Sequence, residues 1–181
     1  KRLGADVLNL DVNTSSRKKG ESIIDTIYTL QAMQIDVFVV RDASAGVSSY
    51  IAQNVEEHVS ILNAGEAEVS HPTQGLLDLL TIRQHKPNFG NLIITIVGDI
   101  SHSRVARSAV HGLTTLGVAE LRLVSPKELA PDPADMPNTK IMSNLDEGIR
   151  GADVVMALRI QRERINSLDD IPGIDEYFAN Y

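Results

Sequence analysis

The feature that most constrains the fold is a repeated alternation of short apolar runs with segments of helical length. The strongest apolar run covers residues 92–97 and ends at Gly98-Asp99. A run of this length, bounded by turn residues, is typical of a buried strand. Strands that alternate with helices form βαβ units in which the strands pair in parallel. The sequence therefore predicts an α/β fold.

The same patterns place the remaining elements along the 181 residues. Strands are predicted at residues 5–10, 36–40, 59–62, 92–97, 120–124 and 153–158. Helices are predicted at residues 21–33, 46–55, 72–84, 103–116, 144–150 and 174–179. Loops are predicted at residues 11–20 and 63–68, and a proline-rich excursion follows residue 124. The breaker-rich stretch 85–90 predicts a boundary between two doubly wound parallel-sheet domains, residues 1–84 and 91–181.

His71 and Gln74 mark the first turn of the helix predicted at residues 72–84. Pro72 suits the first helical position, where its missing N–H has no intrahelical partner. The helix dipole favours a neutral His71, which can donate a hydrogen bond to a carbonyl oxygen beside Gln74. The alternative is that His71 merely caps the helix. One helix face is predicted to be buried through Leu76, Leu79, Leu80 and Ile82.

Three arginines follow predicted strands. Arg41 and Arg159 end theirs, and Arg104 follows residues 92–97 after a short loop. Ligands of parallel sheets bind outside the carboxyl ends of the strands, and the guanidinium fork suits carboxylate or phosphate. In an acidic chain, these residues predict a site for a polyanionic small molecule or for two anions. The alternative is that each is a paired surface residue. Asp99 is interpreted as structural, orienting its strand end.

Composition excludes several classes of function. The chain has no cysteine, which excludes disulfides and thiolate metal sites, and its histidines lack metal-ligand spacing. The net charge of −7 argues against nucleic-acid binding. No apolar run reaches membrane-spanning length. Gly98-Asp99 lacks the further glycines of a dinucleotide fingerprint. We expect a cytoplasmic protein that binds neither nucleic acid nor membrane.

Five motifs, in this order along the chain, resemble the catalytic chains of the aspartate carbamoyltransferase family. They are Lys18-Lys19-Gly20-Glu21, Phe38-Val39-Val40-Arg41, Asn63-Ala64-Gly65 followed by His71-Pro72-Thr73-Gln74, Gly98-Asp99 with Arg104, and Arg-Ile-Gln-Arg-Glu-Arg at residues 159–164. The last motif favours aspartate over ornithine as the acceptor. The resemblance implies a carbamoyl-phosphate domain, residues 1–84 with the linker helix 72–84, and an aspartate domain, residues 91–181, both incomplete.

The resemblance implies transfer of a carbamoyl group from carbamoyl phosphate to L-aspartate, giving N-carbamoyl-L-aspartate and phosphate, an early step of pyrimidine biosynthesis. It requires no metal and no cofactor. It also implies a homotrimer with shared active sites, and the family allows a regulatory or dihydroorotase-like partner chain. The resemblance implies that Arg41 and His71 polarise the carbamoyl carbonyl and that Gln74 holds its amide nitrogen, as ligands of carbamoyl phosphate. Aspartate would be positioned by Arg104, Arg159 and Gln161. Ser15 and Lys19 would bind carbamoyl phosphate in a neighbouring subunit, where Lys19 would also contact aspartate.

The sequence departs from the family at several places. The phosphate-binding Ser-Thr-Arg-Thr-Arg segment, expected just upstream of Lys1, is absent, as is the later part of the aspartate domain. We therefore expect an internal portion of a longer enzyme that is inactive alone. Glu66-Ala67 replace the usual acid and glycine, and Asp42 stands where histidine is common. The alternatives are a non-catalytic transcarbamoylase-like subunit and a transcarbamoylase for another amino acid.

Overall fold

The computed structural model describes Arg2, residues 4–10 and 20–164 apart from the Glu163 side chain, Gly173 and Tyr177. Its contacts define two compact units. The first comprises Lys1–Val40 and Gly46–Leu62, and the second comprises Arg41–Ala45 and Asn63–Tyr181. The boundary at residues 85–90 stays a prediction. Among the described helices, none has the length and apolar composition needed to cross a bilayer.

The first unit contains two helices, α1 (Ile23–Ala32) and α2 (Val47–Ala52), and the first residues of two strands. The side chain of Ser22 caps α1 by accepting the Asp25 N–H at 3.2 Å, which satisfies one of the helix's free N–H groups. The core of this unit consists of Ile27, Phe38, Ile51 and Val59.

Strands β1 (Val37–Asp42) and β2 (Ser60–Glu66) pair with each other. They run parallel, because successive hydrogen bonds advance along both strands. The Ser60 N–H donates to the Asp36 carbonyl at 2.9 Å, and the Ala67 N–H donates to the Asp42 carbonyl at 3.1 Å. Both strands therefore end in the second unit, close to the predicted site residue Arg41.

Three sequence predictions are wrong in this part of the chain. Residues 5–10 form no strand. The apolar run at 36–40 has the pattern of a buried strand, like the run at 92–97, but it is not fully buried. The side chains of successive residues face opposite sides of the strand and the core covers one of them: Phe38 is buried, whereas Val39 is 68% exposed. Strand β2 continues to Glu66, into the predicted loop 63–68, because its pairing with β1 does not stop at the last apolar residue.

The second unit contains a four-stranded parallel sheet in the order β5-β4-β3-β6. Its elements are α3 (Pro72–His85), β3 (Ile93–Val97), α4 (Arg104–Thr115), β4 (Glu120–Val124), β5 (Lys140–Met142), α5 (Leu145–Ile149) and β6 (Val154–Ala157). The predictions for α3, α4, α5, β3, β4 and β6 are confirmed to within two residues at each end. Strand β5 was not predicted, since it is a three-residue strand after a proline-rich segment. The predicted helix at 174–179 lies outside the described residues, apart from Tyr177.

Helices cover both faces of this sheet. Ile94 and Ile96 of β3 pack in one core with residues of α4 such as Leu113. Thr95 points to the opposite face, where its hydroxyl donates to the Gly148 carbonyl of α5 at 2.8 Å. A Cβ at Gly148 would lie 2.3 Å from a methyl group of Val124, so α5 approaches the sheet as closely as a backbone allows.

The predicted buried face of α3 is only partly correct. Ile82 is buried, but Leu76 and Leu80 are 66% and 46% exposed. The buried seam instead follows Gly75, Leu79 and Ile82, because α4 packs along that line. A Cβ at Gly75 would lie 3.2 Å from that of Ser108, and a Cβ at Gly112 would lie 2.6 Å from a methyl group of Leu79. Glycines thus bring α3 and α4 together.

Gly98 allows the end of β3 to pack closely against the segment that follows β6. Its φ is +124°, and a Cβ there would lie 2.3 Å from the Leu158 carbonyl oxygen. The Leu158 N–H donates to the Val97 carbonyl at 2.7 Å, which fixes the two strand ends against each other. A glycine is therefore required by both the backbone conformation and the available space.

We expect Gly98→Ala to lower the free energy of unfolding by about 3 kcal/mol, because overpacking adds to backbone strain. Urea denaturation measures this change. Gly90→Ala is the control, since the nearest atom to its Cβ is 3.8 Å away. Equal effects of the two substitutions would contradict the analysis.

Candidate functional site

A cleft of about 860 Å³ lies at the strand ends of the second unit. Arg41 is the last residue but one of β1, Arg104 begins α4, and Arg164 lies in a short 3₁₀ turn at Arg162–Arg164 after β6. The residues that line it are Arg41, Asp42, Ala43, Ala67, Glu68, Val69, Arg104 and Arg164. Three guanidinium groups therefore face one space, which is the arrangement expected for binding an anionic small molecule.

Arg104 is held in place from two sides. Ser103 caps α4 by accepting the Ala106 N–H at 3.1 Å, which places Arg104 at the first helical position. The guanidinium then lies over Gly65, where a Cβ would be 3.1 Å from Arg104 Cζ. Its Nη1 donates to the carbonyl of Ala67 at 3.2 Å, and Ala67 has a left-handed φ of 42°. A tight turn after β2 therefore orients this arginine.

His71 immediately precedes α3 and donates its N–H to Ser108 Oγ of α4 at 2.8 Å. Its side chain makes no capping hydrogen bond, which argues against the alternative that His71 merely caps the helix. Burial lowers the pKa of His71, and the guanidinium groups of Arg104 and Arg41 lower it further, against an opposing contribution from Asp78. A neutral His71 was predicted, but the principal causes are burial and the two arginines.

The side chain of Asp99 forms hydrogen bonds that join the end of β3 to the segment after β6. It is completely buried, and its Oδ2 accepts the Gln161 N–H at 2.9 Å. Its Oδ1 accepts the His102 N–H at 3.2 Å and lies 2.9 Å from Nδ1 of the His102 ring. The backbone around Gln161 is therefore fixed by a buried carboxylate. These contacts confirm the interpretation of Asp99 as structural.

The other predicted site residues occupy different places. Gln74 Nε2 donates to Asp78 Oδ1 at 2.8 Å, one turn along α3. Arg159 is exposed and does not line the cleft; its Nη1 donates to the Ile160 carbonyl at 3.3 Å. Ser15 and Lys19 lie outside the described residues. The roles assigned to these four residues, like those of the other predicted site residues, remain predictions.

Arg164 was missed as a candidate, although it belongs to the motif at residues 159–164. Its Nη1 donates to the His102 carbonyl at 2.8 Å, and it lines the cleft. Strand-end position identified Arg159, because it directly follows the apolar run. The 3₁₀ turn that brings Arg164 back to the cleft has no comparable signal in the sequence.

Comparisons with known proteins show which proteins this chain resembles. Residues 1–84 match the family described as aspartate/ornithine carbamoyltransferase, carbamoyl-P binding domain. The structure matches the catalytic subunit of M. jannaschii aspartate transcarbamoylase with 35% identity and a TM-score of 0.77, over 93% of this chain and 57% of that one. It matches Trypanosoma cruzi aspartate transcarbamoylase in complex with aspartate and phosphate with 29% identity and a TM-score of 0.81, over 99% and 60%.

The fold and these matches define a chain similar to the carbamoyltransferases. Within that class, it is similar to the catalytic chains of aspartate transcarbamoylase, which confirms the resemblance predicted from the motifs. A further T. cruzi structure, in complex with N-(phosphonacetyl)-L-aspartic acid, matches with 29% identity and a TM-score of 0.77, over 91% of this chain and 54% of that one. The chain thus spans little more than half the length of these relatives.

The lowered pKa of His71 has a defined effect on stability. As the pH falls, the unfolded chain takes up a proton at about pH 6.5, before the folded chain does. The contribution of His71 to stability is therefore present above that pH and is lost as the pH falls through the lower, folded-state pKa.

We expect Arg104→Gln to raise the pKa of His71 towards its usual range, because it removes the larger of the two cationic contributions. Titration of the His71 ring by NMR measures this pKa in both proteins. Arg83→Gln, in the last turn of α3, is the control and should leave the pKa unchanged. If the pKa of His71 stayed the same in Arg104→Gln, the electrostatic account would be wrong.

Proposed function

We propose that the protein transfers the carbamoyl group of carbamoyl phosphate to the amine of L-aspartate. The observation that carries the proposal is the convergence of Arg41 and Arg104 on one cleft, within electrostatic range of an uncharged His71. Both proposed substrates are anions, and their reacting groups must meet in one site. The similarity to aspartate transcarbamoylases, including one bound to aspartate and phosphate, supports the same reaction.

The reaction needs positioned hydrogen-bond donors more than it needs a reactive side chain. The amine nitrogen attacks the carbamoyl carbon, negative charge develops on the carbonyl oxygen, and the bond from carbon to the phosphate oxygen breaks. Phosphate leaves with that electron pair, and the attacking nitrogen loses a proton. Donors aimed at the developing charge lower the barrier, and holding the two anions together supplies the correct orientation.

The arrangement of side chains suits this division of work. In the proposal, Arg41 and His71 donate to the carbonyl oxygen, and a neutral imidazole can do so without repelling the two nearby arginines. Gln74 holds the amide nitrogen by accepting its N–H at Oε1, while its Nε2 keeps donating to Asp78. Arg104, with Arg159 and Gln161, binds the carboxylates of aspartate.

The remaining parts of the proposal concern assembly and cellular role. Ser15 and Lys19 reach the active site of an adjacent subunit, so the enzyme is a homotrimer with shared sites. The sequence just before Gly20 is rich in cations, and a lysine such as Lys19 can offer a point charge to an anion. The proposed product, N-carbamoyl-L-aspartate, is an early intermediate of pyrimidine biosynthesis, and the proposed location of the enzyme is the cytoplasm.

The test of the activity uses protein expressed from the whole reading frame. We expect carbamoyl transfer to aspartate and little transfer to ornithine. His71→Ala should lower kcat by about a hundredfold or more with a smaller change in KM, because the interaction strengthens as charge develops in the transition state. Product formation from labelled carbamoyl phosphate measures both constants.

His85→Ala, at the opposite end of the same helix, is the control and should retain the activity of the unchanged enzyme. No transfer to aspartate by the unchanged protein would contradict the proposed function. A higher KM for carbamoyl phosphate with an unaltered kcat in His71→Ala would contradict the role of His71.

The shared site predicts complementation between two inactive variants. Lys19→Ala and His71→Ala trimers should each be nearly inactive. Dissociating, mixing and reassociating them should restore activity, because some sites then combine an intact Lys19 with an intact His71 from different subunits. The measurement is activity before and after mixing, with hybrid trimers verified by native mass spectrometry. Hybrids that form without regaining activity would show that Lys19 does not serve a neighbouring site.

A further inference from the structure

The side chain of Thr73 contacts the ring of His71, and the proposed function gives it no part in the reaction. Its Oγ1 lies 3.2 Å from Nδ1 of the ring, within hydrogen-bond distance. His71 immediately precedes α3, and Thr73 is the second residue of that helix. Within the part of the chain that the structure describes, no other hydrogen bond reaches the ring. The second ring nitrogen, Nε2, is therefore the one that can meet a ligand.

The backbone of His71 is fixed on both sides. Its N–H donates to Ser108 Oγ at 2.8 Å, and its carbonyl accepts the N–H groups of Gln74 at 3.1 Å and Gly75 at 3.0 Å. A ring on a fixed backbone changes direction only by rotation about its two side-chain bonds. A hydrogen bond at Nδ1 therefore also sets the direction in which Nε2 points.

The proposed role of His71 depends on which ring nitrogen carries the proton. Burial and the neighbouring arginines lower the pKa of His71, so the ring is neutral, with one N–H and one bare nitrogen. Only the tautomer with its proton on Nε2 can donate from Nε2 to a carbonyl oxygen. In the other tautomer Nε2 presents a lone pair, which repels the negative charge that develops on that oxygen.

The start of α3 favours a bare nitrogen at Nδ1. The first turn of a helix has free backbone N–H groups and a positive partial charge, which attract a lone pair and repel an N–H group. Side chains that accept hydrogen bonds are preferred at the residue before a helix for the same reason. A threonine hydroxyl can donate or accept, so beside a bare Nδ1 it donates. Donation from Thr73 requires the proton of His71 to be on Nε2.

We propose that Thr73 is a positioning residue, whose hydroxyl donates to Nδ1 of His71 and holds the ring in the tautomer that carries its proton on Nε2. The hydrogen bond at one ring nitrogen thus decides what the other nitrogen can do. The benefit to catalysis rests on the proposed function, whereas the tautomer rests on the contact between Thr73 and His71. A donor that is already in place lowers the barrier, because nothing has to rearrange as charge develops.

The first test measures the tautomer by NMR in protein expressed from the whole reading frame and labelled with ¹⁵N at the histidine rings. The shift of a ring nitrogen shows whether it carries a proton, and the signals of His71 are those that His71→Ala lacks. We expect a bare Nδ1 and a protonated Nε2. Thr73→Val keeps the shape of the side chain but loses the hydroxyl, so it should lower the ratio of the Nε2–H to the Nδ1–H tautomer about fivefold.

The second test measures turnover in the same variants. Thr73→Val should lower kcat for carbamoyl transfer at least about threefold and leave KM for carbamoyl phosphate within about twofold, because the donor acts mainly in the transition state. Thr73→Ser keeps the hydroxyl and should retain both the tautomer and kcat. Thr81→Val is the matched control on the same helix, where the hydroxyl donates to the Leu77 carbonyl at 2.9 Å, and it should also retain both.

Three results would overturn the proposal. They are a proton on Nδ1 in the unchanged protein, an unchanged tautomer ratio in Thr73→Val, and equal losses in Thr73→Val and Thr73→Ser, which would assign the effect to packing and not to the hydroxyl. Thr73→Ala also removes the hydroxyl at this exposed position and serves if the valine variant does not fold. The same shift in tautomer ratio is expected for it.

NMR and turnover together separate the role of Thr73 from the proposed function. If the unchanged protein transfers no carbamoyl group but Thr73→Val shifts the tautomer ratio, the proposed function fails and the assignment of the tautomer to Thr73 stands. If carbamoyl transfer occurs and Thr73→Val keeps the ratio, the proposed function stands and the proposal for Thr73 fails. A shifted ratio with an unchanged kcat in the active enzyme would overturn the positioning role.

Discussion

The buried carboxylate of Asp99 is the interaction on which the strand-end arrangement of the second unit depends. A completely buried charge is unfavourable unless it is hydrogen-bonded. Here it accepts backbone N–H groups from His102 and from Gln161, which are far apart in the sequence. Removing either partner would leave the charge incompletely satisfied, so the turn after β3 and the segment after β6 are held together. Gly98 makes this possible by letting the Leu158 backbone pass in close contact.

This fixed framework supports a group of like charges. Cations that converge on one cleft repel one another, and backbone carbonyls that hold two of the three side chains offset part of this cost. Arg104 is held by the Ala67 carbonyl and Arg164 by that of His102. Burial lowers the pKa of His71, and the same positive field lowers it further, so both favour the neutral imidazole. Anion binding and a neutral hydrogen-bond donor therefore depend in part on the same arginines.

Local sequence signals predicted the elements whose structure depends on nearby residues. Pro72 marks the start of α3, and the apolar residues 120–124 coincide with β4. Both signals are local, because helix initiation and the hydrophobicity of a strand depend on only a few consecutive residues. The buried face of α3 was less predictable. Its exposed Leu76 and its buried Gly75 reverse what hydrophobicity alone suggests, since the close approach of α4 decides which side is covered. Strand β5 depends on pairing with β4 and has little local signal.

The sequence by itself determined the α/β class, the parallel sheets and the position of arginines after strands, since alternating apolar runs and helices allow few other arrangements. The ordered motifs also determined the resemblance to transcarbamoylases. Only the tertiary structure decided which arginines share a cleft. Arg159 follows β6 directly and Arg164 comes five residues later, yet it is Arg164 that lines the cleft with Arg41 and Arg104. The path of that segment is set by the buried Asp99 and the close contact at Gly98, which are long-range interactions that no local pattern encodes.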